Sequence, residues 1–232
     1  MKSIVALSVF CLSLMACAAP QPLPQFAWDY GTGSNIDLTK NTKTEFYLRG
    51  KQVYADRLAG GGAGGLLADR IKVQRYYWAG GGGLPTDGVP IPDKAVIEMV
   101  SFHDRKRYRI KVDLPANLEQ QMRQVYSVEG RYDRRSWLYF GLAPGGYFEV
   151  LLKGDRLNVK PDILLARGIA EVVTDDWYDK KVAIDRQYGM DYFDKKYGAL
   201  FKQYPVPNGM AWAPIMDAYR AAQPKTDITP VQ

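Results

Sequence analysis

The middle of the chain alternates between apolar and polar positions in the way that β-strands require. Residues 94–102 are nearly all apolar, a pattern typical of a buried strand. Residues 107–114 alternate instead, with Tyr108 and Ile110 on an apolar face and basic residues on the other, so this strand is expected to have one solvated face. Because the polar residues 103–106 connect the two segments, the sequence predicts a β-hairpin.

A second hairpin is predicted further along the chain. Residues 137–142 and 147–153 are aromatic and aliphatic runs, separated by Ala143, Pro144, Gly145 and Gly146. Proline pre-sets the first corner of a type II turn, and Gly145 accepts the positive φ of the second corner.

Three further segments read as strands, namely residues 44–56, 71–79 and 157–160. Pro115 and Asn117 can begin a helix, and Gln120 completes a weak capping box.

The C-terminal quarter changes to a helical period. A set of apolar and aromatic residues recurs at helical spacing: Phe193, Tyr197, Leu200, Phe201 and Tyr204. Asp191 is placed to pair with Lys195, and Pro214 can open a last short helix through Tyr219.

These elements predict a single-domain α+β fold over residues 26–225. The fold is mainly antiparallel sheet, with a packed helix and a helical C-terminal region. Residues 226–232 are expected to form a flexible tail.

The N-terminal residues have the pattern of a targeting signal. Lys2 precedes an apolar run over residues 4–15, which is too short to span a bilayer and is typical of a secretory signal peptide. Residues 14–17, Leu-Met-Ala-Cys, resemble the bacterial lipobox. This resemblance implies cleavage after Ala16 and acylation of Cys17 on its sulfur and its new amino group. An ordinary signal peptide, or a short anchor with an incidental cysteine, is the alternative.

We therefore expect a signal peptide at residues 1–16 and a proline-rich lipidated tether at residues 17–25. Ala18 follows the acylated residue, where the sorting rule of enterobacteria-like cells has Asp for inner-membrane proteins. The expected location is the outer membrane, where the lipid anchor holds the protein at the periplasmic face.

The amino-acid composition limits the kinds of site and partner that the protein can have. The 232 residues contain one histidine and two cysteines, so a site built from several histidines or cysteines cannot form, and no cofactor or metal is expected. The formal charge of +6 is compatible with anionic lipid or an acidic protein partner. Nucleic acid is not expected in this compartment.

Candidate catalytic patterns are weak. The glycine runs at residues 60–65 and 80–83 lack the Lys and Ser/Thr of a phosphate loop. His103 lies next to Asp104, but neighbouring side chains usually point apart, and no Gly-x-Ser-x-Gly motif supplies a nucleophile. We expect a protein that is not an enzyme; a hydrolase recruiting Ser101 or Ser136 is the alternative.

Two clusters are candidate interfaces. Tyr76, Tyr77 and Trp78 have the side chains that commonly anchor interfaces. Arg105, Lys106 and Arg107 form a basic cluster that could meet an acidic protein or anionic headgroups. The alternatives are core aromatics and a solvated strand face.

The chain from residue 80 to 153 resembles a family of bacterial lipoproteins, domain of unknown function 2931. The resemblance depends on three pieces: the strand pair at 97–102 and 107–112, the Leu114-Pro115 step into the helix, and the turn and strand at 143–150. It carries no catalytic residues. It implies a small envelope protein, and some such proteins are similar to immunity lipoproteins that accompany secreted toxins attacking phospholipid.

The expected function is that of an outer-membrane-anchored periplasmic binding lipoprotein, with immunity against a phospholipase-type effector as the proposed role. A structural or assembly-assisting envelope lipoprotein is the alternative.

Overall fold

Two β-sheets and a layer of helices form the protein. The computed structural model describes residues 27–56, 67–80, 84–154, 159–174 and 182–231. The strands are β1 (Asp29–Ser34), β2 (Thr39–Leu48), β3 (Lys51–Asp56), β4 (Ala79–Gly80), β5 (Leu84–Pro85), β6 (Lys94–Ser101), β7 (Lys106–Asp113), β8 (Val125–Val128), β9 (Arg131–Ala143), β10 (Tyr147–Gly154), β11 (Ile163–Ile169), β12 (Glu171–Val173) and β13 (Pro230–Val231). The helices are α1 (Leu67–Val73), α2 (Leu118–Arg123), α3 (Ile184–Tyr188), α4 (Met190–Gln203) and α5 (Trp212–Ala221).

The first sheet has the order β11-β10-β9-β1-β4, with β5 also paired to β1, β8 to β9, and β13 to β8. The second sheet has the order β12-β7-β6-β2-β3. Among the described strands every pairing is antiparallel except that of β1 with β9. The predicted α+β class is confirmed.

The first sheet is the middle of three layers. Leu138, Phe140 and Leu142 of β9 pack in one buried cluster with Phe46 and Ile97 of the second sheet. The intervening β9 residues face a second cluster that contains residues of α1, α4 and α5. Burial on both faces explains why β9 and β10 read as continuous apolar runs rather than as alternating strands.

Both predicted hairpins are present. β6 pairs with β7 from Lys94–Asp113 to Ser101–Lys106, and β9 pairs with β10 from Ala143–Tyr147 onward. Gly145 has a φ of 79°, as the predicted turn requires. A Cβ on Gly145 would collide with the Asn208 side chain and the backbone of Gly209, so this glycine also permits a close approach.

Two strand predictions are wrong. Residues 44–56 form a hairpin instead of one strand, because Arg49 and Gly50 both take positive φ and turn the chain between β2 and β3. Of residues 71–79, the first three belong to α1 and Ala79 begins β4. The predicted strand at 157–160 lies partly outside the described residues, and no strand is present at 159–160.

The predicted helix after Pro115 is α2, and the predicted C-terminal helices are α4 and α5. Asp191 pairs with Arg105 of the β6–β7 turn rather than with its own helix. The predicted flexible tail is packed through Val231: Thr226 Oγ1 accepts the Lys160 N–H at 2.7 Å, and β13 pairs with β8.

The signal segment, Cys17 and the tether lie outside the described residues. Among the helices that the structure describes, none has both the length and the apolar character needed to cross a membrane.

Candidate functional site

The aromatic segment 76–78 does not form one exposed anchor. Trp78 is only 3 % exposed, donates from Nε1 to Glu149 Oε2 at 2.6 Å, and stacks on Tyr147 with ring centroids 6.4 Å apart. It belongs to the core because it covers the helix-facing side of the first sheet. The predicted interface role of this residue is therefore corrected to a structural one.

Tyr76 and Tyr77 are half-buried. Tyr76 meets Trp212 edge-on at 4.9 Å, and burial raises the pKa of its hydroxyl. Tyr77 lies under the Arg70 guanidinium at 4.0 Å and 6.4 Å from the ring of Tyr219. Tyr77 also lines a cavity of about 670 Å³ between α1 and the end of α5.

A buried ionic network lies beneath α5. Glu149 of β10 is fully buried, and its carboxylate accepts hydrogen bonds from Trp78 and from Tyr147, the latter at 2.6 Å. Arg220 of α5 pairs with Glu149 and also with Asp217, so the network reaches the surface through α5. Burial raises the pKa of Tyr147, and the bond to Glu149 raises it further.

Sequence reasoning missed this network, although β10 carried a signal for it. Glu149 and Lys153 interrupt an otherwise apolar run at positions that share one face. Lys153 lies over the rings of Tyr139 and Trp137, at 4.4 and 5.0 Å, and burial lowers its pKa to about 8. A charged residue inside an apolar strand indicates a buried partner or an aromatic cage.

The three residues of the predicted basic cluster have different environments. Arg107 is 2 % exposed, with Nε 3.8 Å from Glu98 of β6. Glu98 also pairs with Arg109 at 2.7 Å. Arg107 therefore neutralises a buried carboxylate, and the prediction of an interface role for it is corrected. The face of β7 that was predicted to be solvated is therefore buried at Arg107, where Arg107 and Arg109 both pair with Glu98 of the neighbouring strand.

Arg105 and Lys106 remain at the surface. Arg105 closes the β6–β7 turn with a φ of 55° and pairs with Asp191, at 3.1 Å, and with Asp194 of α4. Lys106 is exposed, and Tyr192, which follows Asp191 in α4, is 67 % exposed. We name Arg105, Lys106 and Tyr192 the turn–helix face.

The single histidine holds the same turn in place. His103 Nδ1 lies 2.9 Å from Asp104, whose other oxygen accepts the Tyr108 hydroxyl at 2.8 Å and the Gly145 N–H at 2.7 Å. Burial lowers the pKa of His103, but the hydrogen bond and charges of nearby carboxylates outweigh it and raise this pKa. Burial raises the pKa of Asp104, but these three hydrogen bonds outweigh it and lower the pKa. Both pKa shifts favour the charged forms, so His103 and Asp104 form an ion pair.

Asp37 anchors the turn from below. Its carboxylate accepts the Ser101 hydroxyl at 2.5 Å and the His103 N–H at 3.0 Å. Burial raises the pKa of Asp37 to about 7 although both hydrogen bonds lower it. Ser101 also accepts the Asp104 N–H at 3.0 Å and is fully buried, so its hydroxyl is committed to the turn. The cluster thus orients the turn–helix face.

In the part of the chain that the structure describes, no group of three or more His, Cys, Asp and Glu side chains is arranged to hold a metal ion. The predicted lipidation residue and the two glycine runs, apart from Gly80, fall outside that part.

These observations describe a three-layer α+β protein that carries arginine, lysine and tyrosine side chains at the turn–helix face and in the wall of the cavity. The family model described as a protein of unknown function, DUF2931, matches residues 15–209, and the chain belongs to this family. Neither a curated protein nor a solved structure matches the chain.

Proposed function

We propose that the chain is a lipid-anchored binding protein of the outer membrane's periplasmic face, which neutralises a phospholipase-type effector without turnover of its own. Attachment through Cys17 is part of the proposal and follows from the lipobox resemblance. The turn–helix face is the proposed recognition surface. The observation that carries the proposal is the fixed presentation of Arg105 at this surface.

Arg105 occupies a backbone conformation that favours glycine or asparagine. Its φ of 55° costs of order 1 kcal/mol or more for a residue with a Cβ. Two aspartates of α4 hold the side chain, and Asp37, His103 and Asp104 hold the turn. Side chains that are ordered before binding lose little entropy on association, which favours affinity.

The neighbouring residues suit a protein partner. Tyr192 exposes most of its ring, and Lys196 lies 5.8 Å from that ring. Arginine and tyrosine are, together with tryptophan, the side chains most enriched among residues that dominate interface energetics. The net positive charge of the chain also favours approach of a partner with an acidic surface.

The buried acid–base groups support binding over turnover. The Glu149 carboxylate accepts hydrogen bonds from Trp78, Tyr147 and Arg220. The Asp37 carboxylate accepts a hydrogen bond from Ser101 at the start of the turn. A catalytic acid or base has to reach its substrate, and these groups are fully buried with internal partners.

The proposal is tested in cells that export a phospholipase to the periplasm. The full chain is co-expressed with each phospholipase that its own bacterium secretes, and growth and release of fatty acids are measured. We expect protection against one such enzyme. Lack of protection against all of them would contradict the immunity role, and an envelope defect on removal of the chain would then favour a structural role.

Matched variants locate the surface. Lys106→Gln combined with Tyr192→Ala should abolish protection, because both residues belong to the turn–helix face. Lys51→Gln combined with Tyr132→Ala removes the same two side-chain types from exposed positions on β3 and β9 and should protect fully. Equal protection by the two double variants would refute the assignment of the face.

A further inference from the structure

The cavity between α1 and α5 has a lining that none of the preceding argument uses. It has a volume of about 670 Å³, within the range of about 300–1,000 Å³ that is usual for small-molecule sites. Its wall contains two arginines, a lysine, two tyrosines and one aspartate: Arg70, Arg75, Lys160, Tyr77, Tyr219 and Asp69. This composition indicates an anionic ligand with an organic body.

Arg70 is held in place yet incompletely bonded. Its guanidinium lies 4.0 Å from the Tyr77 ring and donates from Nη1 to the Asn35 carbonyl at 3.3 Å. Its Nε is buried and has no hydrogen-bond partner. Among the described residues no carboxylate is ion-paired with Arg70, so its charge is available to a ligand.

Arg75 supplies a second guanidinium. It follows α1 in a turn where its N–H donates to the Arg70 carbonyl at 3.3 Å, which places the two residues on the same side of the cavity. Its side chain is exposed, and within the described chain it has no ion-pair partner. Lys160, in contrast, shares its charge with Asp162 at 2.7 Å.

We propose that this cavity binds the phosphate group of an organic phosphate, with Arg70 and Arg75 holding the oxygens and the Tyr77–Tyr219 pair contacting the attached group. Guanidinium forks match the oxygens of phosphate, and a monoester carries about −1.5 to −2 charge at neutral pH. Two guanidiniums without ion-pair partners match the charge of a phosphate ligand better than that of a ligand with a single carboxylate, even though Asp69 also lies on the wall. The site is separate from the turn–helix face.

Two sources share this chemistry, a soluble phosphate ester and a phospholipid headgroup. Titration calorimetry on the full chain in neutral detergent uses glycerol 3-phosphate as the soluble probe and a short-chain phosphatidylglycerol as the lipid probe. A polyglutamate peptide serves as the carboxylate probe. We expect at least one phosphate probe to bind, and the tighter of the two identifies the source.

Arg75→Gln should weaken binding of the phosphate probe roughly tenfold, since one charge-assisted contact is lost. Lys72→Gln removes the same charge from an exposed position of α1 that does not line the cavity, and it should leave the affinity unchanged. Arg75 is exposed, so Arg75→Gln should keep the urea midpoint of the wild-type chain, and that measurement checks that the loss of binding does not come from unfolding.

Equal weakening by Arg75→Gln and Lys72→Gln would overturn the proposal, because it would show attraction to net charge alone. Binding of polyglutamate as tight as that of the phosphate probes would also overturn it, and would assign the cavity to an acidic protein. Absence of binding by every probe would overturn it as well. None of these results bears on protection through the turn–helix face, so the two proposals fail independently.

Discussion

Replacing Arg220 with methionine should destabilise the protein strongly. Arg220 pairs with Glu149, whose side chain is fully buried, and the Arg220 side chain is itself only 9 % exposed. Methionine has a similar length and no charge, so Arg220→Met leaves the Glu149 carboxylate with only its Trp78 and Tyr147 hydrogen bonds.

Removing one partner of a buried ion pair costs about 3–5 kcal/mol. For a chain of this size each kcal/mol lowers the melting temperature by roughly 2–4 °C, so the fall should be roughly 6–20 °C. The double variant Arg220→Met/Glu149→Gln removes both charges, and a glutamine can still bond Trp78 and Tyr147. It should therefore recover all but about 1–2 kcal/mol of the unfolding free energy.

The assay is urea unfolding of the full chain, followed by tryptophan fluorescence, with thermal melting as the second measurement. Asp217→Asn is the control, since it removes the half-exposed carboxylate of the same network and should cost at most about 1 kcal/mol. If Arg220→Met cost no more than Asp217→Asn, or if the double variant were less stable than the single one, the reasoning would be refuted.

Three other predictions concern the turn, the hairpin and the anchor. Burial raises the Asp37 pKa to about 7, so between about pH 4 and 7 the native state holds a proton on Asp37 that the unfolded state has lost. The free energy of unfolding should therefore fall by up to ~1.4 kcal/mol for each unit by which the pH rises in this range. The raised pKa of His103 adds a further loss of stability as the pH rises above about 6.5. Asp37→Asn removes the titrating carboxyl and should flatten the dependence of the urea midpoint on pH between about pH 4 and 7. An unchanged slope would count against this assignment. Gly145→Ala should destabilise more than Gly50→Ala, because both have positive φ but only Gly145 is crowded; equal melting temperatures would contradict the close approach. Cys17→Ser should release the chain from membranes, and globomycin should accumulate the uncleaved precursor; unchanged fractionation and processing would refute lipidation.

The sequence predicted those strands whose burial follows a simple pattern. β7 alternates because one of its faces meets the core, and the β9–β10 turn is recognisable because proline and glycine have specific backbone preferences. The β2–β3 turn was missed because Arg49 takes the positive φ that asparagine or aspartate usually supplies. α1 was missed because it has only seven residues, and aromatic residues follow it closely.

The candidate sites were less predictable, since they depend on contacts between distant residues. Trp78 and Arg220 are each 71 positions from Glu149, so nothing local in the sequence shows that they share its carboxylate. Arg107 looked solvated from its alternation, but its partner Glu98 lies on the neighbouring strand. The surface position of Arg105 and Lys106 was predictable because a polar hairpin turn can be recognised from the local sequence alone, whereas their interface role stays a prediction.

The most direct test of the proposed binding function is a titration of the purified full chain into each phospholipase that its own bacterium secretes. The account predicts stoichiometric inhibition in a complex that Lys106→Gln/Tyr192→Ala weakens at least tenfold, while Lys51→Gln/Tyr132→Ala binds as the wild type does. Inhibition that persists unchanged in the turn–helix variant, or release of lipid products by the chain alone, would contradict it.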